Sequence, residues 1–175
     1  MTWILPVIIL ILLVVAGIIA LRPMKIPRDP DREKAEDQEA LEAYNRVSRW
    51  PIFGLERHIV LKALFKIKTE GWLLDVGCGP GYLAAEMSQK IVNTKVIGLD
   101  INRPASIIAR HQWSSDSYRN LEFITGDAQN LPISDNAVDL VISSLSLHHW
   151  LDAPAVFLEI FRTIKPGGKL LIFDL

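Results

Sequence analysis

Leu73-Leu74-Asp75-Val76-Gly77-Cys78-Gly79-Pro80-Gly81-Tyr82 is the stretch whose reading decides the fold. An apolar run ends in an acid, and three glycines follow at every second position. Glycine reaches positive φ without steric cost and lets a ligand press against the main chain. A helix opening at Tyr82 would present its unpaired N–H groups to the same loop. The stretch therefore predicts a cradle for a polar or anionic group at the carboxyl edge of a parallel sheet, where such folds bind ligands. The plainer alternative is a glycine-rich turn that holds nothing.

Working outward, strand-like and helical segments alternate. Trp72–Val76 is a short apolar run and Tyr82–Ile91 is helical in composition. Lys95–Leu99 is β-rich, Ala105–Trp113 helical, Leu121–Thr125 and Val138–Ser143 again β-rich. Ala153–Ile164 is helical and Lys169–Phe173 is a fifth strand, after a tight turn at Lys165-Pro166-Gly167-Gly168. This alternation predicts βαβ units wound right-handed into a parallel sheet. Upstream, Asp31–Arg49 suits a solvated helix, Trp50-Pro51 a break, and Leu55–Lys68 an amphipathic helix.

Three cofactor classes compete for the glycine loop. A phosphate-binding P-loop needs Lys-Ser or Lys-Thr after its last glycine, and none follows. A dinucleotide fingerprint needs G-x-G-x-x-G, and its third glycine falls on Tyr82. Asp75 would repel phosphates and attract an ammonium. Asp100, at the end of the second β-rich run, can accept from both hydroxyls of a ribose. Asp127 could accept from an exocyclic amine while the Ala128 backbone donates to a ring nitrogen. For Asp127 a helix cap or turn role stands as the alternative.

The segments at Leu73–Gly81, Val96–Asp100, Gly126–His149 and Ile160–Asp174 occur in order and resemble the successive motifs of class I S-adenosylmethionine-dependent methyltransferases. The small-molecule branch, including quinone-biosynthesis methyltransferases, is the most similar. The resemblance covers Gly71 to Leu175 and implies a Rossmann-like α/β fold, a doubly wound parallel sheet with strand order 3-2-1-4-5. It also implies S-adenosyl-L-methionine as cofactor. On that pattern Asp75 and the backbone of Gly77, Cys78, Gly79 and Gly81 hold the methionine end. Asp100 holds the ribose, Ile101 packs on an adenine face (or simply in the core), and Asp127 with Ala128 reads adenine. Ser143, Ser144 and Leu145 face the methionine end and the sulfonium. The family's last two strands are missing, which leaves Leu170–Phe173 as an apolar edge and predicts self-association through it.

Methyl transfer from a sulfonium needs no protein nucleophile, but a hydroxyl, phenol or acidic-carbon acceptor needs a base. His148 and His149 follow the fourth strand and are the catalytic candidates, with no sequence ground for choosing between them. Asp174, ending the fifth strand, is a weaker candidate. No metal site is expected: the single cysteine, Cys78, lies in no ligand spacing.

Trp3–Leu21 is uncharged and, at about 1.5 Å per residue, spans roughly 28 Å, enough to cross a bilayer. Arg22, Lys25 and Arg28 follow it, which predicts a single-pass anchor with the remainder cytoplasmic. A signal peptide would carry its charges on the other side. The net charge of −1 offers no footprint for nucleic acid. The expected organisation is an anchor at 1–21, a linker and helix at 22–54, and a cofactor-binding domain at 55–175. The expected function is methyl transfer to a small or lipid-like acceptor at the membrane face. Its rival is a non-catalytic cofactor-binding scaffold, suggested by the missing strands.

Overall fold

The computed structural model of the protein describes residues 45–67 and 70–174. The Trp3–Leu21 run and most of the Asp31–Arg49 helix lie outside them. Among the described residues, no helix is long and apolar enough to cross a membrane.

Helix α1 (Pro51–Ile67) leads into β1 (Gly71–Val76), α2 (Tyr82–Lys90), β2 (Thr94–Asp100), α3 (Arg103–Gln112) and β3 (Leu121–Thr125). Then come β4 (Val138–Ser144), α4 (Ala153–Thr163) and β5 (Ile164–Phe173). The five strands form one sheet in the order β3-β2-β1-β4-β5, every pair parallel. This is the expected Rossmann-like sheet.

Alternation along the strands builds two cores. Leu73, Val96, Phe123, Leu140 and Ile142 face α1, α2 and α3, packing on Leu61, Leu64, Leu83, Met87 and Ala109. Leu74, Val76, Leu99 and Val141 face α4, packing on Val156 and Ile160. Each fully buried aliphatic side chain of this kind contributes about 1.5–3 kcal/mol relative to exposure. The chain thus winds one way from β1 and the other way from β4. The crevice between the carboxyl ends of β1 and β4 is the topological switch point, where sheets of this kind place their ligand.

The break expected at Trp50-Pro51 is present: the helical turn at 45–47 gives way to a turn over 48–50, and Pro51 opens α1, because the first turn needs no N–H there. The helix therefore crosses the expected boundary between 54 and 55. The Lys165–Gly168 turn is embedded in β5 as an irregularity. Val138 pairs with Ile164 and Leu140 with Lys169, so two steps on β4 oppose five on β5. Gly167 at φ 82 turns the extra residues outward.

Candidate active site

All three loop glycines have positive φ: Gly77 76°, Gly79 53° and Gly81 80°. The space beside two of them is filled by protein. A Cβ on Gly77 would lie 2.0 Å from Ser146 Oγ, and one on Gly81 2.4 Å from Phe123 Cζ. These two glycines serve close packing and backbone geometry, besides any contact their backbone makes with a ligand.

The loop is tied to the end of β2. The Gly77 and Cys78 N–H groups both donate to the Leu99 carbonyl, at 2.8 and 3.0 Å. The Gly79 N–H donates to Asp100 Oδ2 at 2.7 Å, and the Asn102 N–H to Asp100 Oδ1 at 2.8 Å. Tyr82, where a dinucleotide site would have glycine, donates from its hydroxyl to Asn45 at 3.0 Å. The Arg57 guanidinium lies 5.3 Å from the Tyr82 ring centroid and pairs with Glu86 at 2.9 Å. These contacts lay α1 and the residues before it against the loop.

Asp75 is 1% exposed, and its Oδ2 has no hydrogen-bond partner. Burial pushes its carboxyl up to about 8, with the neighbouring carboxylates of Glu56 and Asp100 adding to the effect. Glu56 of α1 is also raised by burial, and accepts a hydrogen bond from Ser144 Oγ. Asp100 is raised by burial, against the two backbone N–H donors that favour its charge. Asp75, Glu56, Ser144, Gly77 and Leu145 line one small cavity of about 60 Å³. About 10–15 Å³ of such space holds one water, so the cavity takes a few small polar groups, the size of an amino-acid head. An orphaned buried carboxylate oxygen in such an acidic setting fits an ammonium.

The remaining sequence candidates divide between places. Ile101 is exposed at the tip of β2, not packed in the core. Asp127 Oδ1 accepts from the Gln129 N–H at 2.9 Å, a turn contact made within its own loop. Ala128 packs at the margin of the α4-side core. Ser143 is buried with an unpartnered Oγ, and strand alternation puts it on the Val141 side, opposite Ser144. Leu145 takes φ 52 and donates to the Phe173 carbonyl at 2.8 Å. Burial pushes the Cys78 thiol well up, which removes it as a nucleophile.

The two histidines are told apart by their partners. His148 Nδ1 lies 2.8 Å from Asp174 Oδ1, and the His148 N–H donates to Asp174 Oδ2 at 3.0 Å. Asp174 is held by the β4–β5 register, in which Ser144 pairs with Phe173. The His149 ring lies against that of His148 at 4.1 Å between centroids, tilted by 44°, and acts electrostatically on Asp100. Among the described residues, no cluster could hold a metal.

A family model described as a methyltransferase domain matches residues 74–172, more than half of the chain. The chain belongs to the methyltransferase domain family. This methyltransferase domain is 33% identical over 103 residues to the demethylmenaquinone methyltransferase of Lactococcus lactis, covering 58% of this chain and 41% of that protein. It is 30% identical over 136 residues to the malonyl-[acyl-carrier protein] O-methyltransferase of Marinomonas, covering 78% and 48%. The chain spans less than half the length of either relative. A solved structure from Methanococcus maripaludis, described as S-adenosyl-L-methionine-dependent, superposes with TM-score 0.72 at 25% identity, over 84% of this chain and 66% of that one. The Haemonchus contortus phosphoethanolamine N-methyltransferase 2, solved with S-adenosyl-L-methionine, superposes with TM-score 0.60 at 28% identity, over 66% and 27%. S-adenosyl-L-methionine is the cofactor of this domain.

Asp75, the loop backbone and Glu56 would hold its methionine end, Asp100 its ribose, and Ile101 and Asp127 would be its adenine contacts on the family pattern. Glu56 was invisible to sequence reasoning because its partner, Ser144, is 88 residues away. The one available signal was a lone acid in a helix otherwise carrying Arg57, His58, Lys62 and Lys66.

Two predictions follow from the carboxylates. Unfolded, Asp75 ionises near 3.8; folded and empty, near 8. Between those values the folded state binds the extra proton, so this group's contribution to stability falls as pH rises from about 4 to about 8. A bound ammonium favours the ionised form. Cofactor affinity should therefore rise with pH up to about 8, and binding near neutrality should release ~1 proton. Calorimetry in buffers of different ionisation enthalpy measures this release, and Asp75→Asn should abolish it. For Asp100, removal of the carboxylate should weaken cofactor binding by roughly 1.5–3 kcal/mol. Asp100 also fixes the Gly79 and Asn102 N–H groups. Asp100→Ala should thus also lower the unfolding temperature, and Asp100→Asn should do so less.

Proposed function

We propose that this domain transfers a methyl group to a small or lipophilic acceptor, and that Trp3–Leu21 anchors it with the domain on the cytoplasmic side. The observation that carries the catalytic reading is the His148–Asp174 pair just past the carboxyl ends of β4 and β5. Bound S-adenosyl-L-methionine supplies an electrophilic methyl on a sulfonium. Asp174 fixes the His148 ring through Nδ1, which leaves Nε2 to take the proton from an acceptor O–H or acidic C–H as its new bond to carbon forms. The acidic pocket around Asp75 orients the donor by its ammonium, and α1 shields that pocket from water. The acceptor class is supported by the names of the relatives, which include enzymes of demethylmenaquinone, malonyl-carrier and naphthoquinone methylation. These names do not favour the scaffold alternative.

The test is transfer of an isotopically labelled methyl by the full chain to a panel of quinols, lipids and small carboxylic acids. Transfer to at least one member, lost in His148→Asn, is the expected result. Cofactor binding without transfer to any member would return the scaffold reading to first place.

A further inference from the structure

The outer face of α1 is not the polar face that a solvent-exposed helix of a globular domain shows. Val60, Leu61 and Leu64 are buried against the sheet. On the opposite side Ile52 is 69% exposed, Leu55 60%, Ile59 47% and Phe65 53%, and Trp50 just before the helix is 59% exposed. At 100° per residue these helical positions share one side with His58, Lys62 and Lys66, all exposed. That side carries no acid. The helix's single acid, Glu56, is turned inward to Ser144. Arg46 and Arg49, immediately upstream, are exposed as well. The helix is therefore apolar on two sides, with only basic charge on the outer one.

A face of large apolar side chains interleaved with lysines and no acid has the composition of a helix that lies in a membrane interface. The basic charge complements the anionic lipid of a cytoplasmic leaflet. We propose that the outer face of α1, from Trp50 through Phe65, docks on an anionic bilayer surface. The inference goes beyond the anchor, because this face would engage lipid whether or not Trp3–Leu21 spans. A tether would strengthen it. The 23 residues from Arg22 to Tyr44 reach at most about 80 Å fully extended, which holds the helix at high effective concentration over the membrane. Docking also has a consequence for access. Phe53 and Glu56, on the inner side of the same helix, line the cavity beside the glycine loop. A lipophilic acceptor would then approach the crevice along α1 without leaving the lipid phase.

The test uses the full chain in a Cys78→Ala background, with an environment-sensitive fluorophore on a single cysteine at Ile59→Cys, Leu158→Cys or Ile9→Cys. Leu158 is 72% exposed on α4, across the sheet. With phosphatidylglycerol-containing vesicles, the label at 59 should shift to the blue and be quenched by nitroxide lipids. The label at 158 should do neither. Lys62→Glu with Lys66→Glu should abolish the signal at 59 and leave that at 9 intact. A label at 9 that stays aqueous while 59 enters lipid removes the anchor and supports the docking face. A label at 59 that stays aqueous while 9 is in lipid overturns the docking face. So does a blue shift at 59 that is present without vesicles, which would assign the face to the chain's own N-terminal segment or to a second copy. Lysine footprinting of the unsubstituted chain gives an independent reading. Anionic vesicles should protect Lys62 and Lys66 but not Lys90, and equal labelling with and without vesicles would overturn the proposal.

Discussion

Replacing His148 with asparagine should lower the rate of methyl transfer by about 10²–10⁴-fold, the usual contribution of a positioned general base. Asparagine keeps a hydrogen-bonding group facing Asp174 but cannot take a proton. Cofactor affinity should be unchanged, because Asp75, the glycine loop and Asp100 are untouched. Asp174 acts through His148 and is a positioning residue: its carboxylate holds the ring from both Nδ1 and the backbone N–H. Asp174→Asn should therefore also lower turnover without loss of cofactor binding, and should move the alkaline-going limb of the pH–rate profile, which a merely structural role would not do. His149, facing Asp100, should affect cofactor binding more than turnover when replaced. Unchanged turnover in a folded His148→Asn protein would dismiss the base.

The second large effect is on stability. Gly81→Ala should cost roughly 2–4 kcal/mol, combining a left-handed backbone with overpacking against a ring. The new Cβ would sit 2.4 Å from Phe123 Cζ and 3.2 Å from Ala109 Cβ. Gly167 provides the internal control. Its φ is +82°, nearly the same, but nothing lies within 4 Å of its Cβ position. Gly167→Ala should thus cost only the backbone share, about 1–2 kcal/mol. Denaturant midpoints of the two variants separate strain from collision, and Phe123→Leu should partly rescue Gly81→Ala but do nothing for Gly167→Ala. Equal losses at 81 and 167 would show that the ring yields freely.

How much of this was legible beforehand depended on the range over which each feature is encoded. The strands and their parallel sheet were legible, because strand-like runs such as Val138–Ser143 and glycine punctuation at 77–81 are local signals, whereas the strand order came from the family resemblance. Asp75 and Asp100 could be singled out locally, the first just inside the end of β1 and the second at the end of β2. The break at Trp50-Pro51 was legible because proline is a local signal, although the sequence did not say that the next helix starts at Pro51 itself. That Gly81 also packs against Phe123 could not be read, because the ring arrives from 42 positions later. His148 and Asp174 were each noticed and never joined, since only the β4–β5 pairing brings them together. Glu56 was marked only as the lone acid of α1, which does not reveal its partner.

The irregularity in β5 separates two kinds of length change. Pro166 and Gly167 lie exposed in the stretch where five steps on β5 oppose two on β4. An extra residue there has somewhere to go: it enlarges a loop that carries no chemistry. From Lys169 to Phe173 the strands run in step, and the chain has no such slack. An insertion in that segment would carry Asp174 about 3.3 Å along the strand and reverse the side of the sheet it faces. The dyad would be lost although no catalytic side chain had changed. Descendants of this sequence are thus free to drift in length between Lys165 and Gly168, and are held to a fixed count over the five residues before Asp174.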